Sequence, residues 1–278
     1  MKAIILAAGK GTRMRPLTYG IPKPLLPVKG KPMLDWVIGS IQHKSIDEVI
    51  VGVSGTVGGD AEERMLSHIQ GISVDSYLRN LNFDFNIRTI PTPMRETGGD
   101  LRFILEEADI RKGKVIVVYG DNLTNFDFNQ MIEYHDKCRK ELGTSCTVLL
   151  FEAPEAELNR FGIAKIKQVN EFNLIEFFIE KPTLQQAPSH YANGGYYIIE
   201  VEDIIDKLPR GKLKVEHSLF PQLAAEGKLA AFITKLPYWI DISTIEAYDL
   251  ANKMAHDGLI LPPPISEDKT KNKINGGR

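Results

Sequence analysis

Residues 2–34 read Lys2-Ala-Ile-Ile-Leu-Ala-Ala-Gly-Lys-Gly-Thr-Arg-Met-Arg-Pro-Leu-Thr-Tyr-Gly-Ile-Pro-Lys-Pro-Leu-Leu-Pro-Val-Lys-Gly-Lys-Pro-Met-Leu34. The apolar run Ala3 to Ala8 predicts a strand buried on both faces, as in a parallel sheet. It stops at Gly9. The loop beyond holds Gly9, Lys10, Gly11, Arg13, Arg15 and Lys23, with no Asp or Glu before Asp35. Glycines let backbone N–H groups crowd around an anion, and fixed cations add to that field. Such a loop draws its counter-charge from a ligand. Pro16, Pro22, Pro24, Pro27 and Pro32 fix φ repeatedly and forbid helix over most of the segment, so Lys23 sits on stiffened backbone.

Two familiar phosphate loops do not fit. The dinucleotide fingerprint needs a third glycine where Met14 stands, and the Walker loop needs Gly-Lys-Ser/Thr where Met14-Arg15-Pro16 stand. Working outward, the 278 residues allow one large domain or two small ones. With 34 basic and 36 acidic residues, nothing draws the chain in bulk to nucleic acid or a membrane. Cys138 and Cys146 lack metal-ligand or redox spacing and are expected to be buried small hydrophobes. No run approaches the roughly 20 apolar residues of a membrane span, and the N-terminal run is too short for a signal peptide. The expected setting is reduced and cytoplasmic.

Hydrophobic spacing predicts a helix over 33–43, a strand over 48–53, a helix over 60–69 and a strand over 86–91. Alternating strands and helices imply an α/β domain with a mostly parallel sheet. Glu96-Thr97-Gly98-Gly99-Asp100-Leu101 enters a helix running to Ala108. Thr97 is placed to cap it, and the glycines permit close approach by a flat ligand, although an ordinary helix entrance reads equally well. A strand over 114–119 ends in Gly120-Asp121-Asn122. Open α/β sheets bind ligands at that end, which makes Asp121 a candidate metal ligand; a turn Asp is the plain alternative. A helix over 126–140 and a strand over 144–151 follow. Residues 161–168 and 173–179 then alternate around Asn170 as an antiparallel hairpin. Glu180-Lys181-Pro182, Asn193-Gly194-Gly195-Tyr196-Tyr197 and Trp239-Ile240-Asp241-Ile242-Ser243-Thr244 complete the polar constellations. Taken singly, these fit a surface ion pair, a strand bulge and a helix start capped by Thr244. Only half of 213–225 looks helical.

Leu6–Thr18, Pro22–Val28 and Lys31–Leu34 together resemble the signature of the sugar-1-phosphate nucleotidylyltransferases, or NDP-sugar pyrophosphorylases. Gly120-Asp121-Asn122, Arg160-Phe161-Gly162-Ile163, Phe178-Ile179-Glu180-Lys181-Pro182, Asn193–Tyr197 and Trp239–Thr244 resemble later motifs of the same family, in the same order. The resemblance covers residues 1–257. It implies one Rossmann-like α/β domain: a mixed, mostly parallel central sheet, helices on both faces and an antiparallel acceptor-side portion. About 1–125 would form the NTP-binding half and 126–257 the sugar-phosphate half, with 258–278 a disordered tail and no room for a β-helix domain.

The implied reaction is Mg²⁺-dependent transfer of a nucleotidyl group from an NTP to a sugar 1-phosphate, with pyrophosphate released. Arg13 and Lys23 would be catalytic. Leu6, Ala8, Gly9, Gly11, Thr12, Thr97, Gly98 and Gly99 would bind nucleotide; Gly162, Glu180, Lys181, Asn193 and Gly195 would bind the sugar phosphate. Asp121 and Asp241 would hold Mg²⁺. The partners are an NTP and a sugar 1-phosphate, with a homo-oligomer also implied. Four residues depart from the family pattern. Glu96 replaces a Gly, Asp100 an Ala and Ser243 a Gly, while Pro91 stands where some members carry a base-reading Gln. Base (GTP, UTP, dTTP or CTP) and sugar (glucose or mannose foremost) stay open. Rival readings are a transferase for a non-sugar phosphate, a glycosyltransferase lacking its usual Asp-x-Asp, and a non-catalytic regulatory relative.

Overall fold

The computed structural model describes residues 1–41, 45–55, 59–81 and 83–261. In chain order, β1 (Lys2–Leu6) leads through three short turns, the second of them α1 (Leu17–Gly20), to β2 (Pro27–Val28), β3 (Lys31–Pro32) and α2 (Met33–Ser40). Then come β4 (Glu48–Ser54), α3 (Ala61–Arg79), β5 (Asn86–Thr92), α4 (Glu96–Glu107), β6 (Lys114–Tyr119) and β7 (Asn122–Thr124). The second half holds α5 (Phe128–Leu142), β8 (Cys146–Glu152), β9 (Gly162–Val169), β10 (Phe172–Glu180), β11 (Tyr191–Glu200) and α6 (Val201–Ile204). It closes with α7 (Leu219–Ala225), β12 (Leu229–Ile233), β13 (Trp239–Asp241) and α8 (Ile245–His256).

A nine-stranded sheet runs β5-β4-β1-β6-β11-β8-β12-β10-β9. Its first four strands are parallel. β11 then pairs antiparallel with both β6 and β8, and β12 lies parallel to β8. The expected mixed sheet is therefore present, with parallel pairing concentrated in the N-terminal half and the hairpin β9–β10 at the far edge. Asn170 turns that hairpin at φ 53°, a left-handed conformation Asn tolerates better than most residues.

Alternate residues of each strand face opposite layers. Ala3, Ile5, Val49, Val51 and Val118 share one apolar core with α2, α3, α5 and α8. Ile4, Ile50 and Val117 share the other with α4, α6 and α7. Covering both faces explains why these strands read as unbroken apolar runs. Cys138 and Cys146 are free and buried, as expected. Their thiols are pushed up by burial, that of Cys138 to about 11.

Several boundaries differ from the sequence expectation. Helix α3 continues to Arg79, and α2 ends at Ser40 with Ile41 as its C-cap; the expected continuation over 42–43 lies outside the described residues. Ordered packing runs past residue 257, because Ile260 is buried in the first core; the rest of the expected tail, from Pro262, lies outside the described residues. No helix among the described residues is long and apolar enough to cross a membrane.

Candidate functional site

The N-terminal loop leaves the C-terminal end of β1. Gly11 is left-handed at φ 63°, and a Cβ there would come within 2.8 Å of Thr18 Cγ2. Glycine is the residue that fits both constraints. The Thr18 hydroxyl donates to the Gly11 carbonyl at 2.9 Å, closing the loop on itself. Met14 is fully buried and anchors it. Lys10 finds a partner outside the loop, Glu63 Oε2 of α3 at 3.1 Å. Lys23 opens a single turn, Lys23–Leu25, between the prolines. Its ammonium lies 2.6 Å from Asp121 Oδ2, with only 11% of the side chain exposed.

Asp121 follows β6, where Gly120 N–H donates to the Leu6 carbonyl at 2.9 Å. Asp241 reaches it by strand pairing. β7 and β13 form an antiparallel ribbon with Asp241 opposite Asn122, and Ile242 N–H donates to the Asp121 carbonyl at 3.0 Å. Residues far apart in sequence thus meet through one register. Burial raises the Asp241 carboxyl above its ordinary range, the nearby Asp121 charge raises it further, and Lys23 partly offsets both. Ser243 donates its hydroxyl to Asp241 Oδ2 at 2.8 Å. Ser243 is not among the positive-φ residues, so the missing glycine imposes no strain there. Thr244 caps α8, accepting from Ala247 N–H at 3.3 Å.

The opposite side of the cleft is built from β9–β11. Glu180 pairs opposite Gly162, whose Cβ, if present, would lie 3.0 Å from Glu180 Oε2. Lys181 is left-handed at φ 48° and is held by its N–H to the Phe161 carbonyl at 2.9 Å. In β11 the register shifts between Asn193 and Tyr197. Inside that bulge Gly195 has φ 75°, and a Cβ on it would fall 2.1 Å from Asn122 Nδ2. Asn193 Oδ1 accepts Gly195 N–H at 3.0 Å. Trp239 stacks on Phe151 with centroids 4.9 Å apart, and its indole N–H donates to the Gly194 carbonyl at 3.0 Å.

These parts converge on one cleft of about 880 Å³. Leu6, Ala8, Gly9, Gly11, Thr12, Arg13, Lys23, Thr97, Asp121, Gly162, Glu180, Lys181, Asn193, Gly195 and Asp241 all line it. Gly98 and Gly99 do not. Both their N–H groups donate to the Leu213 carbonyl, and Cβ atoms there would strike Leu213 and Gly211 backbone oxygens. The close approach these glycines permit is to the chain's own 211–213 segment. Thr97 does not cap α4 either. Its hydroxyl accepts from Val215 N–H at 3.1 Å and donates to Glu216 Oε2 at 3.4 Å.

Sequence reasoning missed Tyr119, Lys212 and Lys214 as cleft residues and gave Glu216 no role. Tyr119 donates to Glu216 Oε1 at 2.7 Å, and the phenol is pushed well up by burial and that carboxylate. The one available signal was the spacing Glu216-x-x-x-Phe220-Pro221. The two lysines carried none.

A glycine loop with its cations, and a carboxylate pair gathered beside the C-terminal ends of the parallel strands β1 and β6, lie where open α/β folds bind ligands. The family model described as nucleotidyl transferase matches residues 2–258, and the chain belongs to that family. It is 30% identical over 261 residues to a UTP–glucose-1-phosphate uridylyltransferase of Synechocystis sp., covering 89% of this chain and 61% of that protein. It is 27% identical to a mannose-1-phosphate guanylyltransferase of Mycobacterium tuberculosis, covering 99% and 70%. The chain thus spans about six-tenths to seven-tenths of these relatives' length. A UDP-glucose pyrophosphorylase solved with UDP-glucose shares the fold at TM-score 0.70 and 20% identity, covering 92% of this chain and 98% of that one.

Proposed function

We propose that this protein transfers a nucleotidyl group from an NTP to a sugar 1-phosphate, giving an NDP-sugar and pyrophosphate. The observation that carries this is the β7–β13 register, which sets Asp121 and Asp241 together beside Lys23 and the glycine loop. The reaction needs positioning and charge stabilisation more than a covalent protein intermediate. A sugar-phosphate oxygen attacks the α-phosphorus; the bond to the bridging oxygen breaks, and pyrophosphate leaves with that electron pair. Arg13 and the loop N–H groups hold the β- and γ-phosphates. Lys23 turns from Asp121 to the α-phosphate as charge develops. Lys181 places the acceptor phosphate, and Glu180 accepts from a sugar hydroxyl.

The donor set fits Mg²⁺. Two hard carboxylates lie together at the cleft, one of them paired with Lys23, and Mg²⁺ usually takes one or two carboxylates with substrate phosphates. Among the described residues no group of three or more His, Cys, Asp or Glu forms a fuller metal site. When bound, the ion would neutralise phosphate charge. The same reading places the enzyme in a reduced cytoplasm, as a homo-oligomer.

The test is pyrophosphate release with Mg²⁺ across five NTPs and the 1-phosphates of glucose, mannose, galactose and N-acetylglucosamine. Release that needs one NTP and one sugar phosphate together supports the proposal. Silence from folded protein that binds an NTP turns it toward a non-sugar acceptor or a regulatory relative.

A further inference from the structure

The segment entering α4 holds an unusual shape. Met94 and Glu96 are both left-handed, at φ 52° and 61°. Such residues persist where their surroundings over-determine them, and they cluster at functional sites. Asp100 supplies the constraint. Buried, it accepts Arg95 N–H on Oδ1 at 2.7 Å and the Thr92 hydroxyl on Oδ2 at 3.0 Å. Thr92 Oγ1 in turn accepts Met94 N–H at 3.3 Å. Two departures noted in the sequence, Glu96 for Gly and Asp100 for Ala, are therefore one device: the second pins the turn that presents the first.

The segment carrying Lys212 is clasped to the same turn. Leu213 N–H donates to the Arg95 carbonyl at 3.1 Å, and Arg95 Nη1 donates to the Arg210 carbonyl at 3.1 Å. Lys212 Nζ comes to 3.9 Å from Glu96 Oε1. Both side chains line the cleft beside Thr97. Nothing in the fold requires a carboxylate at position 96, where glycine would take the same φ without strain.

We propose that Glu96 and Lys212 read the nucleotide base and select guanine, with Asp100 as a positioning residue for Glu96. This rests on the nucleotide-binding reading above. Guanine offers two adjacent donors, N1–H and the N2 amino group, to the two oxygens of one carboxylate, and O6 to an ammonium alongside. Uracil and thymine offer one donor between two carbonyls. Adenine and cytosine offer an amino group beside a ring-nitrogen lone pair. Each of these four turns an acceptor toward the second carboxylate oxygen.

The test is calorimetric binding of Mg²⁺-GTP, -UTP, -dTTP, -CTP and -ATP with no sugar phosphate present. A bidentate base contact discriminates by roughly tenfold to a hundredfold, so GTP should bind at least about tenfold tighter than each other nucleotide. Glu96→Gln, and the strain-relieving Glu96→Gly as the folded control, should both lose that preference. Asp100→Ala should lose it too. In the Glu96→Gly background Asp100→Ala should cost no further discrimination, a non-additivity that general loss of packing does not produce. A wild-type preference for another base, equal binding of all five, no binding, or discrimination unchanged in the Glu96 variants overturns the assignment. Because no acceptor is present, a silent pyrophosphate assay leaves a guanine result standing. Turnover with a different base overturns this inference while leaving the reaction intact.

Discussion

The two walls of the cleft are shaped by different means. The glycine loop is made locally: Gly11, the prolines and the buried Met14 fix its course within about two dozen residues of β1. The opposite wall is made at long range. Its residues come from the end of a hairpin, a bulged strand and a short ribbon, and each is placed by pairing with a distant segment. A locally stiffened wall tolerates change elsewhere, whereas a wall assembled by register depends on every pairing that sets it. The carboxylate pair lies on the seam, one residue following a strand of the first kind and one ending a strand of the second.

The largest effects should come from that seam. Lys23→Ala and Asp121→Ala should each lower kcat for pyrophosphate release by roughly 10²–10³ or more, as loss of one preorganised contact does, with melting curves showing folded protein. Near-normal turnover in either would break both the comparison and the function. Next comes a matched pair of glycines. Gly195→Ala adds left-handed strain and displaces Asn122 Nδ2 from its 3.2 Å bond to the Gly194 carbonyl, and should cost roughly 2–4 kcal/mol by urea unfolding. Gly11→Ala should cost only about 1–2 kcal/mol. Gly195→Ala should raise the KM for sugar phosphate more than for NTP, and Gly11→Ala the reverse. Equal shifts in both would mean the walls are not separable.

Smaller effects sharpen the contrast. Thr244→Ala removes the α8 cap and should cost about 1 kcal/mol, read as a lower Tm. Glu157→Gln removes an exposed pair with Arg160 Nη1 at 2.7 Å and should change stability by less than about 0.5 kcal/mol. A larger change would mean that ion pair helps fix the wall opposite the glycine loop.

Legibility in the sequence followed the same division. The two-face-buried strands, the glycine loop, the Asn170 turn and the Thr244 cap could be read because each is decided by neighbours in the chain. β12 was missed: Leu229-Ala-Ala-Phe-Ile233 is short and carries two alanines, and only its place between β8 and β10 makes it a strand. Lys212 and Lys214 were missed because a surface lysine looks the same whether or not a tertiary clasp turns it into a cleft. Gly98 and Gly99 were correctly seen as permitting close contact, but the contacting group was the chain's own backbone. The carboxylate pair was named by motif alone, since spacing cannot show that two strands will meet.

The position of β12 bears on how the chain is made. β8 and β10 are synthesised before it, yet in the finished sheet they flank it. Until residue 233 leaves the ribosome, both strands present open hydrogen-bonding edges, which are templates for pairing with other chains. β8 and β10 are therefore exposed to edge pairing with other chains during synthesis, or when the chain is interrupted before β12, just as β6 is until β11 is made.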